Sequence, residues 1–426
     1  MTISLVRITF WCSITIAIVL PRTALPDSLS KAQPLPAPSI DLPDYLEPTV
    51  DPTIGTTFVR VTTPKSPLGN GVACKLSYCT HRYSSAQAWN ADQSLLVIVN
   101  GCNGLCFLDG RTYAPLFQRQ RGGECEWHPK DPDLMICVWG RRISRWAPRT
   151  NAEEVILDTE DYRELEFGPY KGNPSWDGNR IVVRAKNLAG KLVAFGYDLS
   201  RRQRFPEIDL EQIPGKNDHC GISPLGKYIL CAYSRMDLTD QAYVFTIDGD
   251  LIQSWTEHHR PGHGDMTVDS DGQEVYVGIS KANPDRYQVI KRRLHDGLVS
   301  ALAPYGEHQH ASMRAMHRSG WVFLSYAGKP VTPPGRPGVA PFGQEVVALK
   351  IDGSGEFRRI AHTINTPHNY WSETHASPSP DGSQVIWSSN WGKPGGPVFD
   401  FVTRVDWAGR DEGPAQGDRH ERQSLR

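Results

Sequence analysis

The stretch His375-Ala-Ser-Pro-Ser-Pro-Asp-Gly-Ser-Gln-Val-Ile-Trp-Ser-Ser389 decides the fold. A short polar strand runs into a Pro-Asp-Gly turn and leaves as an apolar strand. Asp-Gly is a strong hairpin signal, because glycine takes the positive φ that a tight turn needs. The same shape recurs as His219-Cys-Gly-Ile-Ser-Pro-Leu-Gly-Lys-Tyr-Ile-Leu-Cys231. It returns as His263-Gly-Asp-Met-Thr-Val-Asp-Ser-Asp-Gly-Gln-Glu-Val-Tyr-Val277, with two residues added before the glycine. It returns again as His310-Ala-Ser-Met-Arg-Ala-Met-His-Arg-Ser-Gly-Trp-Val-Phe-Leu-Ser325. Three weaker copies precede these, at Trp89–Val97, Trp127–Trp139 and Pro174–Val183.

Seven copies at a period of roughly 45 residues match the length of a four-stranded propeller blade. The sequence therefore predicts an all-β chain, a seven-bladed β-propeller of four-stranded blades spanning residues 52–408. The last copy runs out near Trp407 after three strands. Thr56–Thr63 is a strand with no blade of its own, so it is expected to close the ring as the outer strand of the last blade. A parallel solenoid or two β-sandwiches are the alternatives, but solenoid repeats are shorter and sandwiches need no repeat. The 38 Gly, 33 Pro and 12 Trp suit an all-β protein with many turns.

The flanks read differently. Arg7 precedes an apolar run from Ile8 to Leu20 that is too short for a membrane span of about 20 residues. Residues 1–25 read as a signal peptide, with an uncleaved anchor as the other reading. Secretion or a periplasmic location follows, with no membrane span once the signal is removed. Residues 26–51 carry Pro34, Pro36, Pro38, Pro43 and Pro48 and read as an extended linker. Residues 409–426 are polar and aperiodic, and read as a disordered tail. The net charge of −1 includes no basic stripe, which argues against a nucleic-acid partner. A monomer is expected.

Eight cysteines follow the signal, an even number in an exported chain. Cys220 and Cys231 are symmetric about the turn Pro224–Lys227, and Cys125 and Cys137 about Pro129–Asp133. Each pair faces itself across a hairpin and is expected to form a disulfide, or else to be two small buried thiols. No CxxC spacing points to a cysteine zinc site.

The working residues are sought on the first strand of each blade, which lines the central channel. His219, His263, His310 and His375 are read at one register in blades four to seven, where the first three blades carry Ala86, Glu124 and Lys171. Neutral imidazole is a metal ligand, and a histidine near neutral pKa is a general base. His308, Gln309, Glu373, His368 and Tyr370 add donors nearby, and Arg235 and Arg314 are candidate cations. A lone channel histidine is most often a packing residue. Four at one register argue for a site.

From blade four onward these residues resemble oligogalacturonate lyases, seven-bladed propellers that cleave uronic-acid oligomers by β-elimination. The resemblance covers about the last half of the chain. It rests on Asp218-His219, Gly262-His263, His310-Ala-Ser-Met313, and His375 through Gly382 with Ser389-Asn-Trp-Gly392. It implies His263 as the proton-abstracting base, His310 and His375 as ligands of a divalent metal such as Mn2+ (Ca2+ and Zn2+ being alternatives), and His219 as a helper. Gln309 is a further candidate ligand. Two positions depart from the family. Its blade-seven His-x-His reads Glu373-Thr-His375, so Glu373 must replace one ligand. Its blade-four arginine position reads near Gln241, with Arg235 as the substitute and Arg314 as a second candidate.

The chemistry suits β-elimination. The C5 proton lies next to a carboxylate whose charge a metal or arginine must offset before a base can remove it. Tyr370, Trp371, Trp391 and His368 are candidates to contact the sugar. The expected function is a secreted carbon–oxygen lyase acting on an acidic carbohydrate of oligogalacturonate or ulvan type. The alternative is a non-catalytic TolB-like or WD-type propeller that binds a protein or carbohydrate.

Overall fold

A computed structural model describes residues 32–167, 173–234, 240–256, 260–304, 308–327 and 341–408. Residues 1–25, read above as a signal peptide, residues 409–426, Lys171 and Arg235 lie outside the described residues, as do the side chains of His308 and Gln309.

Among the described residues the strands form eight antiparallel sheets, seven of which are the blades of a propeller, while the eighth pairs Pro67–Gly69 with Val72–Ala73. Blade two runs Glu124–Trp127, Met135–Trp139, Arg142–Ala147 and Ala152–Asp158 from the channel outward. Blades three to six repeat this meander and begin at Tyr162, Lys216, Pro261 and His308. Blade one has three regular strands, Leu95–Ile98, Leu105–Asp109 and Pro115–Arg119. Its inner edge is Ala88–Asn90, where the Val97 N–H donates to Ala88 O and the Asn90 N–H to Leu95 O. Blade one thus has the same four-layer plan with a very short first strand.

The second strands explain the sequence pattern. Leu95–Ile98, Glu274–Ser280 and Gln384–Ser389 are buried at every residue. Each lies between two neighbouring blades, so both faces must be apolar or fully hydrogen-bonded. One apolar cluster joins Val275, Val277 and Val289 of blade five to Val322, Leu324 and Val347 of blade six. The turns follow one design. Asp381 Oδ1 accepts from the Ser379 hydroxyl and the Ser383 N–H, and Asp177 Oδ1 does the same with Ser175 and Asn179. Gly382 and Gly178 then take φ of +73° and +78°.

Ring closure is as the sequence predicts. Thr57–Arg60 pairs with Phe399–Arg404 and becomes the fourth strand of blade seven. Pro48–Val50 adds a fifth. This departs from the linker reading of residues 26–51. The Trp391 indole N–H donates to Ile40 O, Ile40 and Leu42 pack on the blade six–seven core, and Asp51 Oδ2 lies 2.9 Å from His362 Nδ1. Proline cannot donate to a ladder, but it is tolerated at the first residue of an edge strand, where Pro48 stands.

Cys125–Cys137 and Cys220–Cys231 are disulfides between residues directly opposite in their hairpins. Cys74–Cys79 and Cys102–Cys106 are two more. They do not face each other across a hairpin, Cys106 lying on the strand Leu105–Asp109 and the other three outside the regular strands, so hairpin symmetry gives no sign of them. Among the described residues, no helix is long and apolar enough to cross a membrane.

Phe58 is the side chain to test for closure. It is 2% exposed and packs on Trp387, Trp391 and Phe401. Phe58→Ala is expected to cost ~3–5 kcal/mol in equilibrium urea unfolding. A cost under ~1 kcal/mol would mean that this strand does not hold the ring shut.

Candidate active site

Strand pairing fixes which inner-strand residues are equivalent. His219 lies opposite Ala232, four residues before Ser223, whose N–H donates to Tyr228 O at the hairpin. His375 lies four before Ser379, whose N–H donates to Gln384 O. His310 lies opposite Ser325 in the matching place of blade six. In blade five the residue four before the hairpin is Asp265, opposite Val277. His263 is therefore not in register with the other three. The blade-five turn, where the Asp269 N–H donates to Gln273 O, is one residue shorter than those at Ser223–Tyr228 and Ser379–Gln384, so the added residues sit not in the turn but in a bulge between Gly262 and Asp265.

The bulge puts His263 in a useful place. A β-bulge leaves a residue out of the ladder and re-aims its side chain. His263 takes φ +48°, a left-handed conformation uncommon outside glycine. Gly264 follows where a Cβ would meet Val277 O at 2.0 Å, so only glycine fits there. The outcome is an exposed imidazole with its ring centre 5.4 Å from that of His310.

His310, Glu373 and His375 form the centre. The two imidazole centres are 4.2 Å apart. Glu373 Oε2 stands 3.5 Å from His310 Nε2 and 3.7 Å from His375 Nε2. Atoms that bind one ion at about 2.1 Å each lie about 3–4 Å from one another, so this donor set fits a divalent cation. Burial pushes the Glu373 carboxyl up to about 7. Its backbone is held on both sides: Asn369 caps the short turn Tyr370–Ser372, and Asn365 donates to Ser372 O and to the Thr374 hydroxyl.

A segment with no counterpart in the repeat completes the site. Cys79–Gln87 links several blades across the channel mouth. The Tyr83 ring lies 5.0 Å from His310 and 4.7 Å from His375. Arg82 pairs with Glu124 and Glu126 of blade two. The Asn173 side chain donates to Ser85 O, Ser377 to Ala86 O, and Gln87 to Arg314 O. His81 is fully buried, with Nδ1 3.0 Å from Asp400 Oδ1 and Nε2 2.6 Å from the carbonyl of His375. Burial pushes the His81 imidazole down, but the Asp400 charge and the two hydrogen bonds outweigh it and leave it above its ordinary value. Both ring nitrogens face oxygen, so the ring donates twice. One of those bonds holds the left-handed backbone of His375, at φ +47°.

The remaining candidates separate. Arg314 is 5% exposed, and its Nε and Nη2 each lie 2.8 Å from the Asp265 carboxylate. That guanidinium ties blade six to blade five. Trp391 is a core residue, buried and stacked on Phe401 at 5.0 Å, so its ring is not open to a sugar. Tyr370 is 38% exposed beside His375 at 5.1 Å, and Trp371 stacks on Tyr78 at 4.8 Å. His368 is exposed and accepts from the Gly395 N–H. His219 is buried with Nδ1 3.0 Å from Asp218 Oδ2. Gln241 is buried and accepts from the Tyr243 hydroxyl.

No protein-family model matches the sequence, and no curated protein matches it. Solved structures do match the fold. An oligogalacturonate lyase in complex with manganese aligns at TM-score 0.59 and 16% identity, over 85% of this chain and 96% of that one. The oligogalacturonate lyase of Vibrio parahaemolyticus aligns at TM-score 0.58 and 12% identity, over 85% and 97%. In fold, this chain is an oligogalacturonate lyase-like propeller. At these identities the likeness concerns the backbone alone.

Two outcomes follow from the geometry. A metal bound at this centre would displace the proton of Glu373, so Mn2+ affinity in calorimetry is expected to fall as pH drops below about 7, by about tenfold per pH unit. Glu373→Gln should bind far more weakly and with a shallower slope; unchanged affinity in that variant would remove Glu373 from the ligand set. Separately, Asp265→Ala leaves the Arg314 charge buried and should cost ~3–5 kcal/mol in unfolding.

Proposed function

We propose that this protein is a lyase that cleaves a uronic-acid-containing oligo- or polysaccharide by β-elimination. The observation that carries the reading is the exposed His263 imidazole beside the His310–Glu373–His375 donor set, on one face of an oligogalacturonate lyase-like propeller.

His310, Glu373 and His375 would hold a divalent cation, manganese being the ion of the aligned lyase structure. When bound, such an ion supplies Lewis acidity toward a substrate carboxylate and so makes the adjacent C–H bond more acidic. The remaining work falls to side chains. His263 is the exposed imidazole of the group, so it takes the C5 proton. The C5–H electron pair becomes the C4=C5 double bond, and the C4–O bond breaks with its pair. The departing oxygen gains a proton from water and becomes a hydroxyl. Tyr370, exposed beside His375, offers a ring face to the sugar. Buried Tyr83 walls the cation site and excludes water from one side.

Metal assistance is favoured over arginine assistance because Asp265 already engages Arg314 through two nitrogens. Four disulfides suit an oxidising compartment, and we place the protein outside the cytoplasm as a monomer.

The test is the rise in ultraviolet absorbance from an unsaturated uronate. Wild type with Mn2+ is expected to produce it from oligogalacturonate or ulvan fragments. His263→Ala should lower kcat by about 10²–10⁴-fold while still binding metal. His310→Ala and His375→Ala should lose both metal and activity. No unsaturated product from pectic, ulvan or glycosaminoglycan substrates would sink the proposal.

A further inference from the structure

Trp139 is 61% exposed, the highest fraction among the described large apolar side chains. Burying a residue of this size ordinarily stabilises a fold by several kcal/mol, roughly 25 cal/mol per Å2. An indole left open therefore invites an explanation. It is also held in place. A Cβ at Gly122 would lie 2.8–2.9 Å from three atoms of the six-membered ring, and one at Gly123 would lie 2.8 Å from the Trp139 Cβ. The indole thus rests flat on a glycine pair that admits no side chain. One face is covered and the other is open.

Its position ties it to the candidate active site. Glu124 stands four residues before His128, whose N–H donates to Leu134 O, so Glu124 occupies in blade two the step that His219 occupies in blade four. Glu124 pairs with Val138, the residue before Trp139. The indole is therefore on the same propeller face as the histidines. Next to it lies a cavity of about 260 Å3 between blades one and two. Gly123 borders both the cavity and the indole. Arg82 lines the cavity, while its chain neighbour Tyr83 touches His310 and His375.

The cavity is chemically mixed. Val97, Leu105 and Met135 supply an apolar wall, and Arg121 and Glu124 supply a cation and a carboxylate. A pyranose ring has the matching character, with an apolar C–H face and a rim of hydroxyls that both donate and accept. Small-molecule sites pair apolar walls with a few placed polar groups in about 300–1,000 Å3, so this cavity has room for about one sugar ring and not for a chain.

We infer that Trp139 and the cavity between blades one and two form a saccharide subsite, which holds a sugar ring of the substrate away from the bond that is cleaved. The inference rests on the lyase reading for the identity of the sugar, and on Trp139 and Gly122–Gly123 for the existence of the site. Full-length protein labelled with 5-fluorotryptophan tests it, with Trp139→Phe assigning the Trp139 fluorine resonance. Titration with tetragalacturonate in the presence of Mn2+ is expected to shift that resonance. Trp139→Ala should raise KM for tetragalacturonate by roughly five- to tenfold, the scale of one aromatic contact, with the loss in KM rather than kcat. Trp139→Phe should recover most of it. A silent resonance and an unchanged KM in a protein that still turns over substrate would overturn the subsite and leave the lyase reading intact. A shifted resonance with no turnover would support the subsite and overturn the lyase reading. A silent resonance without turnover would overturn both.

Discussion

The pairing of Thr57–Arg60 with Phe399–Arg404 is the constraint on which the rest depends. A propeller blade is buried only by its neighbours, so an open ring leaves two sheet faces in water. Closure joins residues more than 300 positions apart and thus carries a large loop entropy, which grows slowly with length. Phe58, against Trp387 and Phe401, supplies much of the apolar contact that offsets it. The closing strand also feeds the site. Thr62, just beyond it, donates to Cys79 O and accepts from the Asp400 N–H. Asp400 holds His81, and His81 holds His375. Closure and the geometry of the candidate site are therefore coupled through one buried polar chain.

The repeat was legible because each blade must make the same turn. Pro-Asp-Gly and its variants mark the step from first to second strand, and the side-chain period fixes the rest. The ring-closing strand was legible because the last blade lacks one. Within the candidate site, His310 and His375 emerged from the same counting, and Glu373 from its place two residues before His375 and from the family pattern it departs from. What counting could not find is anything that breaks the repeat. His263 looks equivalent to the other histidines when the extra residues are placed in the turn; pairing places them in a bulge instead. Arg314 looks like a free cation until its partner, 49 residues earlier in the chain, is known. Trp391 looks like a sugar platform until Phe58 and Phe401 are found against it.

Cys79–Gln87 was the largest omission. It has no periodicity and falls between a recognised strand and a recognised blade. Its one visible sign is density of chemistry, with His81, Arg82 and Tyr83 in succession. A loop that packs across the channel must satisfy its polar groups there, and it does so against blades two, three, six and seven. The disulfides Cys74–Cys79 and Cys102–Cys106 add to this region, since Cys79 opens the segment and the N–H of Thr80 donates to Asn100 O, close to Cys102.

Glu373 is where the sequence departs from the pattern it resembles, and the departure changes the charge of the site. Two imidazoles and a carboxylate offset one unit of a divalent cation's charge, where imidazoles alone offset none. Under the proposed lyase reading, the remaining positive charge is what a substrate carboxylate would meet, and a lower value would weaken its attraction. The same carboxylate is a harder ligand than imidazole and shifts preference toward manganese-like ions over softer ones. Its burial raises it to about 7, so a good part of it carries a proton near neutral pH. His81 and Asn365 fix the backbone on either side of this carboxylate, so the site is built to hold its donors together before any ion arrives. A carboxylate kept only for packing would need no such bracing, and it would pay the burial cost for nothing. The bracing fits the reading proposed above, in which Glu373 would retune a metal centre instead of ending one.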